Sequence, residues 1–253
     1  MNNIKLIFVL LASLLLGACK SDDDDSTQAY TETSQAEPPV WQIDWGYNQE
    51  RPNWQAPDVS DYENWTILKV QIEESLLPFV SEGDLMALFV NGELRGLAKP
   101  AVNISDNQTN AGIFLMKAYG NEAGTETVNM SLQYYNQELK QIFTLSEDIS
   151  LDSDVTTGID EDFIPQFTYG SAKYPLVKTA MVESVMTKVG LTPVVGNIAA
   201  AFVGDECRGT TLLSPSGSTS LVIYGRSAGE NVTLKYYDAA RSLLFTIPDA
   251  LKL

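Results

Sequence analysis

The chain repeats itself. The stretch GDLMALFVNGELRG, Gly83 to Gly96, aligns with GNIAAAFVGDECRG, Gly196 to Gly209, at an offset of 113, and seven of the 14 positions are identical. Downstream, Tyr119-Gly120 matches Tyr224-Gly225 and Gly124 matches Gly229, at an offset of 105. Then NMSLQYYNQELKQIFTL, Asn129 to Leu145, matches NVTLKYYDAARSLLFTI, Asn231 to Ile247, at an offset of 102. The offset changes only in polar, glycine-containing stretches, where loops absorb differences in length. Order and spacing both repeat, so the chain is an internal duplication of one folding unit.

Each unit reads as β. In the first, Leu68, Val70 and Ile72 alternate with Lys69 and Gln71, the period of a half-buried strand. Phe89-Val90 leads into Asn91-Gly92, a strong two-residue hairpin signal, and Glu93 to Leu97 returns. Ile113 to Tyr119, Val128 to Tyr135 and Leu139 to Leu145 are further runs rich in β-branched and aromatic residues. Thr219 to Tyr224, Val232 to Tyr237 and Ser242 to Ile247 repeat the plan in the second unit, and no sustained helical period with a cap is present. About six short strands in roughly 90 residues predict an all-β fold of two tandem immunoglobulin-like antiparallel β-sandwiches. The boundaries fall at 60–148 and 168–253, with an acidic linker over 149–167 and a tryptophan-rich arm over 41–59.

The N-terminus carries an address. A short basic start with Lys5, an apolar run from Leu6 to Leu16 and the small pair Gly17-Ala18 form a secretory signal peptide over 1–18, too short to read as a spanning helix. The ending Leu-Gly-Ala-Cys resembles a bacterial lipobox, which implies that Cys19 is acylated and becomes the first mature residue. Ser21, Asp22, Asp23, Asp24 and Asp25 resemble the export signal of Bacteroides-type lipoproteins displayed on the outer face of the outer membrane. Each buried acyl methylene contributes roughly 0.8 kcal/mol, so several chains anchor a protein stably. The rest of 19–40, rich in Asp, Ser, Thr, Gln and Glu and closed by Pro38-Pro39, is expected to be a disordered spacer. Asp25-Ser26-Thr27 within it fits a three-residue O-glycosylation pattern, a signal no stronger than chance.

Composition narrows the chemistry. Removal of residues 1–18 leaves 235 residues with all 33 acidic side chains and 15 basic ones, a surface that repels nucleic acid and anionic lipid. There is no histidine, and with Cys19 acylated Cys207 is the one remaining thiol. Ser-His-Asp and Cys-His catalysis, the common zinc sites and imidazole acid–base chemistry are therefore excluded, and no intramolecular disulfide forms. Carboxylate-only hydrolysis and calcium binding remain open. The acidic groups Asp152, Asp154, Asp160, Glu161 and Asp162 lack the DxDxDG order of a calcium loop and read as a solvated linker.

AFVGDECRG, followed by VIYG and GENVTLKYYD, resembles a repeat of surface and secreted proteins of Bacteroidetes, where the unit is a non-catalytic β-sandwich module. The resemblance covers both units, about two thirds of the chain. The first departs from it, with Leu94 for Cys207 and GTETVNMSL for GENVTL.

Four groups of residues are candidates for binding. Glu93 and Arg95 recur as Glu206 and Arg208, and the i, i+2 spacing puts each pair on one strand face. The pair is either a carboxylate–guanidinium clamp for a polar ligand or an ion pair fixing the hairpin, and its recurrence favours the second. Trp41, Trp45, Trp54 and Trp65, with Tyr47 and Tyr62, form either a stacking platform for sugars or an arm packed on the first sandwich, which is preferred. Cys207 aligns with Leu94, which marks an apolar, inward-facing position, and reads as an inert thiol in the core. Tyr134-Tyr135 and Tyr236-Tyr237 read as strand residues first.

These readings combine into an outer-membrane lipoprotein facing the cell exterior, without cofactor or metal, that binds or adheres to a protein or glycan at the surface. The second reading is a glycan-binding accessory lipoprotein of a polysaccharide-uptake system. A hydrolase is disfavoured, since no acid pair stands out in the sequence.

Overall fold

A computed structural model describes residues 29–102, 109–121, 128–145, 149–151, 166–167, 169–215 and 218–253. Strand β1 (Thr31–Ser34) precedes the repeats. The first unit holds β2 (Asn64–Ile72), β3 (Leu85–Val90), β4 (Glu93–Ala98), β5 (Pro100–Val102), β6 (Thr109–Gly120), β7 (Val128–Asn136), β8 (Gln141–Leu145) and β9 (Ile149–Leu151). Two short strands follow, β10 (Gln166–Phe167) and β11 (Tyr169–Ser171). The second unit holds β12 (Leu176–Met181), helix α1 (Val182–Lys188), β13 (Ile198–Val203), β14 (Glu206–Leu212), β15 (Ser220–Gly225), β16 (Asn231–Asp238) and β17 (Leu243–Lys252).

The fold is all-β, and the duplication governs its pairing. In the first unit β3 pairs with β4 and β7, β7 with β8, and β2 with β6; in the second β13 pairs with β14 and β16, β16 with β17, and β12 with β15. All of these pairs are antiparallel. Even the irregularities recur: the register shift between Leu88 and Phe89 returns between Ala201 and Phe202. Lys140 and Ser242, both at positive φ, occupy equivalent turns. Asn91 (φ 50) and Gly92 (φ 84) make the two-residue turn in which Val90 faces Glu93, and positive φ at both positions matches the strand twist.

Each unit is a sandwich of a larger and a smaller sheet. The larger sheet joins two adjacent hairpins, β4-β3-β7-β8 and β14-β13-β16-β17, an order distinct from the ABED and CFG sheets of antibody domains. Leu68, Val70 and Ile72 of β2 and Phe114 and Met116 of β6 point inward against Leu88, Leu132 and Phe143, the first core. The second core gathers Ala199, Leu221, Ile223, Leu234, Tyr236 and Phe245, with Val182, Val185 and Met186 of α1 closing one end. That seven-residue helix is absent from the sequence reading, because two turns are too short to show a period.

Segments outside the repeats tie the units together. Thr31–Ser34, within the stretch read as spacer, form an edge strand on β17, and all four side chains are exposed. Backbone pairing requires no apolar side chain, so a polar composition conceals such a strand. The disorder expected of 19–28 lies outside the described residues. β11 pairs with β8 and Tyr169 joins the first core, so the first sandwich extends past residue 168, where the sequence reading began the second.

Candidate functional site

The two Glu-x-Arg motifs occupy equivalent places and make equivalent contacts. Arg95 pairs with Glu93 at 3.0 Å, lies 4.7 Å from the Tyr62 ring centre and donates to the Tyr119 carbonyl at 3.5 Å. Arg208 pairs with Glu206 at 2.9 Å, lies 4.5 Å from the Tyr174 ring centre and donates to the Tyr224 carbonyl at 3.1 Å. Each arginine thus ties its hairpin to the smaller sheet and stacks on a tyrosine. The following glycine is required by that approach: a Cβ on Gly96 would meet the Lys117 carbonyl at 2.8 Å, and one on Gly209 would come closer still to the Val222 carbonyl.

The second cluster is larger. Glu230 also accepts from Arg208 at 3.3 Å, Arg226 reaches Glu206 at 2.6 Å, and Lys173 bridges Asp44 at 2.8 Å and Glu206 at 3.8 Å. Lys173 chiefly holds Asp44 below the usual carboxylate range. Burial opposes ionisation of Glu230, but hydrogen bonds from the Arg226 and Ser227 backbone and the nearby Arg208 keep it lowered. Glu93 is lowered foremost by the hydrogen bond from Tyr62. These groups are matched to one another rather than aimed into a cavity.

A second recurrent network was not singled out from sequence. Asp84, buried, accepts from the Tyr134 hydroxyl at 2.6 Å, Asn136 Nδ2 at 3.2 Å and the Gln137 backbone at 2.9 Å. In the second unit Asn197 stands for Asp84 and Asp238 for Asn136. Asn197 Nδ2 donates to the Tyr236 hydroxyl at 2.7 Å, and its Oδ1 accepts from the Ala239 backbone at 3.1 Å. The reciprocal exchange of acid and amide between the repeats is visible in the alignment and signals that the two positions share a partner. Burial, then Asp84, pushes the Tyr134 hydroxyl well up, so it stays a donor.

The tryptophans line the path of the arm. Trp41 packs edge-on against Phe202 of the second unit and Trp54 against Phe89 of the first. Between them Trp45 touches Phe143 of the first unit at 5.1 Å and Tyr224 of the second at 4.8 Å between ring centres. The arm therefore crosses from one sandwich to the other instead of packing on the first alone, as the sequence suggested. Gln141 Nε2 donates to the Tyr47 carbonyl, Gln49 Oε1 accepts from the Ile142 backbone, and Arg51 donates to the Gly83 carbonyl, fixing its second half. One edge of Trp45 lines an open groove of about 460 Å³ with Gln42, Asp44, Asn48 and Gln141. Asp44 and Gln141 there are already bonded within the protein.

At the junction beneath Trp45 lies Glu73, 4 % exposed. It accepts from the Tyr224 hydroxyl, from the Tyr169 backbone at 3.2 Å and from the Ser75 hydroxyl at 3.3 Å. Burial raises its pKa to about 7. Cys207 does not face the core as expected from sequence: it lies on the outer face of the second unit's larger sheet, buried because Trp41 and Ile43 of the arm cover it, and burial raises its pKa. Cys19, Ser21 and Asp22 to Asp25 lie outside the described residues, as do Asp152, Asp154, Asp160, Glu161 and Asp162. Among the described residues no three His, Cys, Asp or Glu side chains gather as a metal site, and no helix is long and apolar enough to cross a membrane.

Among the described residues Tyr47 is 75 % exposed on the arm, and one tryptophan is open on a sheet face. Trp65 on β2 is 54 % exposed, and Lys117 Nζ of β6 sits 4.4 Å from its ring centre. The structure defines an all-β protein built of two sandwiches. Comparison with family models, curated proteins and solved structures finds no match for this chain.

Proposed function

We propose that this protein is a lipid-anchored, surface-displayed lipoprotein whose paired sandwiches act as a non-catalytic binding or adhesion module. The carrying observation is the course of the arm. The described chain begins ten residues after Cys19, pairs with β17, and then runs over the second unit and onto the first through Trp41, Trp45 and Trp54. A tether fixed to both sandwiches transmits force from a membrane anchor to the whole body instead of pulling on one strand end. The recurrent acid–base clusters support the same reading, since their partners are other residues of the fold. The test is fractionation and surface proteolysis of intact cells: Cys19→Ala is expected in the soluble fraction, and replacing Asp22 to Asp25 with alanine is expected to leave the protein membrane-bound but shielded from protease. Retention of the Cys19→Ala variant in membranes refutes the anchor.

A second reading, a glycan-binding accessory lipoprotein of a polysaccharide-uptake system, draws support from Trp65. Its indole is outward on a sheet face, whereas Trp41, Trp45 and Trp54 are engaged by protein rings.

A further inference from the structure

We propose that the outer face of β2 and β6 is a docking face for an acidic polysaccharide. This rests on the reading of the protein as a surface binder and names the ligand class and the site. On β2, Trp65, Ile67 and Lys69 alternate with the inward Leu68 and Val70; on β6, Leu115, Lys117 and Tyr119 alternate with the inward Phe114, Met116 and Ala118. The register sets Trp65 opposite Tyr119, Ile67 opposite Lys117 and Lys69 opposite Leu115. Tyr62 lies against Tyr119 with ring centres 5.9 Å apart. Leu115 is 55 % exposed. The result is a flat strip of rings and aliphatic side chains carrying two ammonium groups.

The second unit provides an internal control. Its equivalent face pairs Val177 with Tyr224 and Thr179 with Val222. Tyr224 is fully buried and Val222 is 7 % exposed; Ile43 and Trp45 of the arm pack on this pair, and Glu73 and Ser75 of the first unit bond the Tyr224 hydroxyl. Where the arm covers this face, the position is valine. The first unit places Lys117 there, and burying that ammonium under a like cover would leave a charge to be compensated. The open face is thus built for a partner that supplies negative charge and keeps the ammonium partly wet.

Charge and shape select the partner. The chain has a net charge of −17, so two lysines on one aromatic strip are a local reversal of its field. Lys69 and Lys117 are diagonal neighbours, with Cα atoms about 7–8 Å apart in such a register. Glu93, close by, is engaged by Tyr62 and Arg95, and Glu63 sits at the rim. A uronate or sulfated sugar presents an anion beside a face of C–H bonds, which match an ammonium and an indole together. A polymer repeats that pairing along the strip. At physiological ionic strength fields fade over about 8 Å, so the local lysines outweigh the distant acids.

The mature lipoprotein in detergent is titrated with heparin, polygalacturonate and neutral dextran by calorimetry at two salt concentrations. Binding of at least one acidic polymer, weakened by salt and absent for dextran, is expected. Trp65→Ala and Lys117→Glu are each expected to weaken it about tenfold or more, the effect of roughly 1.4 kcal/mol, with melting unchanged, while Lys188→Ala on α1 binds as wild type. Equal binding of dextran, indifference to both variants, or no binding overturns the proposal. Concentration-dependent self-association abolished by the same variants also overturns it, by making the face an interface between copies. Surface display lost in the Cys19→Ala variant is a separate readout, so failure of the ligand assignment and failure of the anchored-binder reading are told apart.

Discussion

The carboxyl group of Glu73, in the first sandwich, accepts a hydrogen bond from the hydroxyl of Tyr224, in the second, across 151 positions of sequence. Both side chains are buried, and Tyr169 and Ser75 complete the carboxyl's partners. The junction between the sandwiches is therefore polar at its centre and aromatic at its edge, where Trp45 closes it.

The junction should respond to pH. Burial raises the pKa of Glu73 from 4.5 to about 7, so the folded protein favours the neutral acid. A raised carboxyl pKa gives stability that is full below pH 4.5 and lost as pH rises through about 7. The chain has no histidine, and burial holds the Cys207 thiol up, so few other side chains titrate in this window. Stability is expected to fall by about 2 kcal/mol between pH 5.5 and 8.5, and Glu73→Gln should flatten the profile. Urea melts across that range check it; a steeper fall in Glu73→Gln than in wild type would contradict the assignment.

Trp45→Ala should cost about 3–5 kcal/mol and loosen the junction more than either core. The indole contacts Phe143, Tyr174 and Tyr224, rings from both sides. Trypsin digestion of the variant should release the two sandwiches as separate resistant fragments, and an intact digestion pattern would show that the arm does not hold them together.

The two arginines should differ in their effect on stability. The Arg208 side chain is 2 % exposed and faces Glu206 and Glu230, whereas Arg95, 11 % exposed, pairs with a Glu93 that is 57 % exposed. Arg208→Ala leaves the part-buried Glu230 without its cation, though Glu206 keeps Arg226 and Lys173. It also removes the bond to the Tyr224 carbonyl and empties a buried side-chain volume, and should cost about 3–5 kcal/mol. Arg95→Ala exposes Glu93 to water and should cost about 1 kcal/mol. Equal losses in denaturant melts would contradict the asymmetry.

The glycine after each arginine should be intolerant of a side chain. Gly209→Ala forces a Cβ into the Val222 carbonyl and Gly96→Ala into the Lys117 carbonyl, neither of which is a flexible side-chain end. Both variants should melt earlier, Gly209→Ala more so, by about 2–4 kcal/mol. Scanning calorimetry of the pair measures the difference, and a neutral Gly209→Ala would mean the two sheets separate easily there.

Much of this architecture was legible in the residues. The duplicated motif implied repeated pairing, Asn91-Gly92 implied the hairpin turn, and the alternation of Leu68, Val70 and Ile72 implied which face of β2 is inward. The exchange of Asp84 and Asn136 for Asn197 and Asp238 was also present, as a signal that needed both repeats to be compared at polar positions. Strand β1 left no such mark, because its exposed Thr, Glu, Thr and Ser bury no apolar face and pair chiefly through the backbone.

By itself the sequence determined the local and the repeated: strand periods, turns, two sandwiches, and the residues that resemble an anchoring signal. Those depend on neighbours within a few positions, or on comparing one copy with the other. Tertiary structure alone decided which of two equivalent sheet faces is covered, where the arm crosses, and that Glu73 loses its water. Burial is set by what packs above a residue, and here that partner lies far along the chain: Val222 and Lys117 occupy the same place in the repeat, yet one lies under Ile43 and Trp45 of the arm and the other faces solvent.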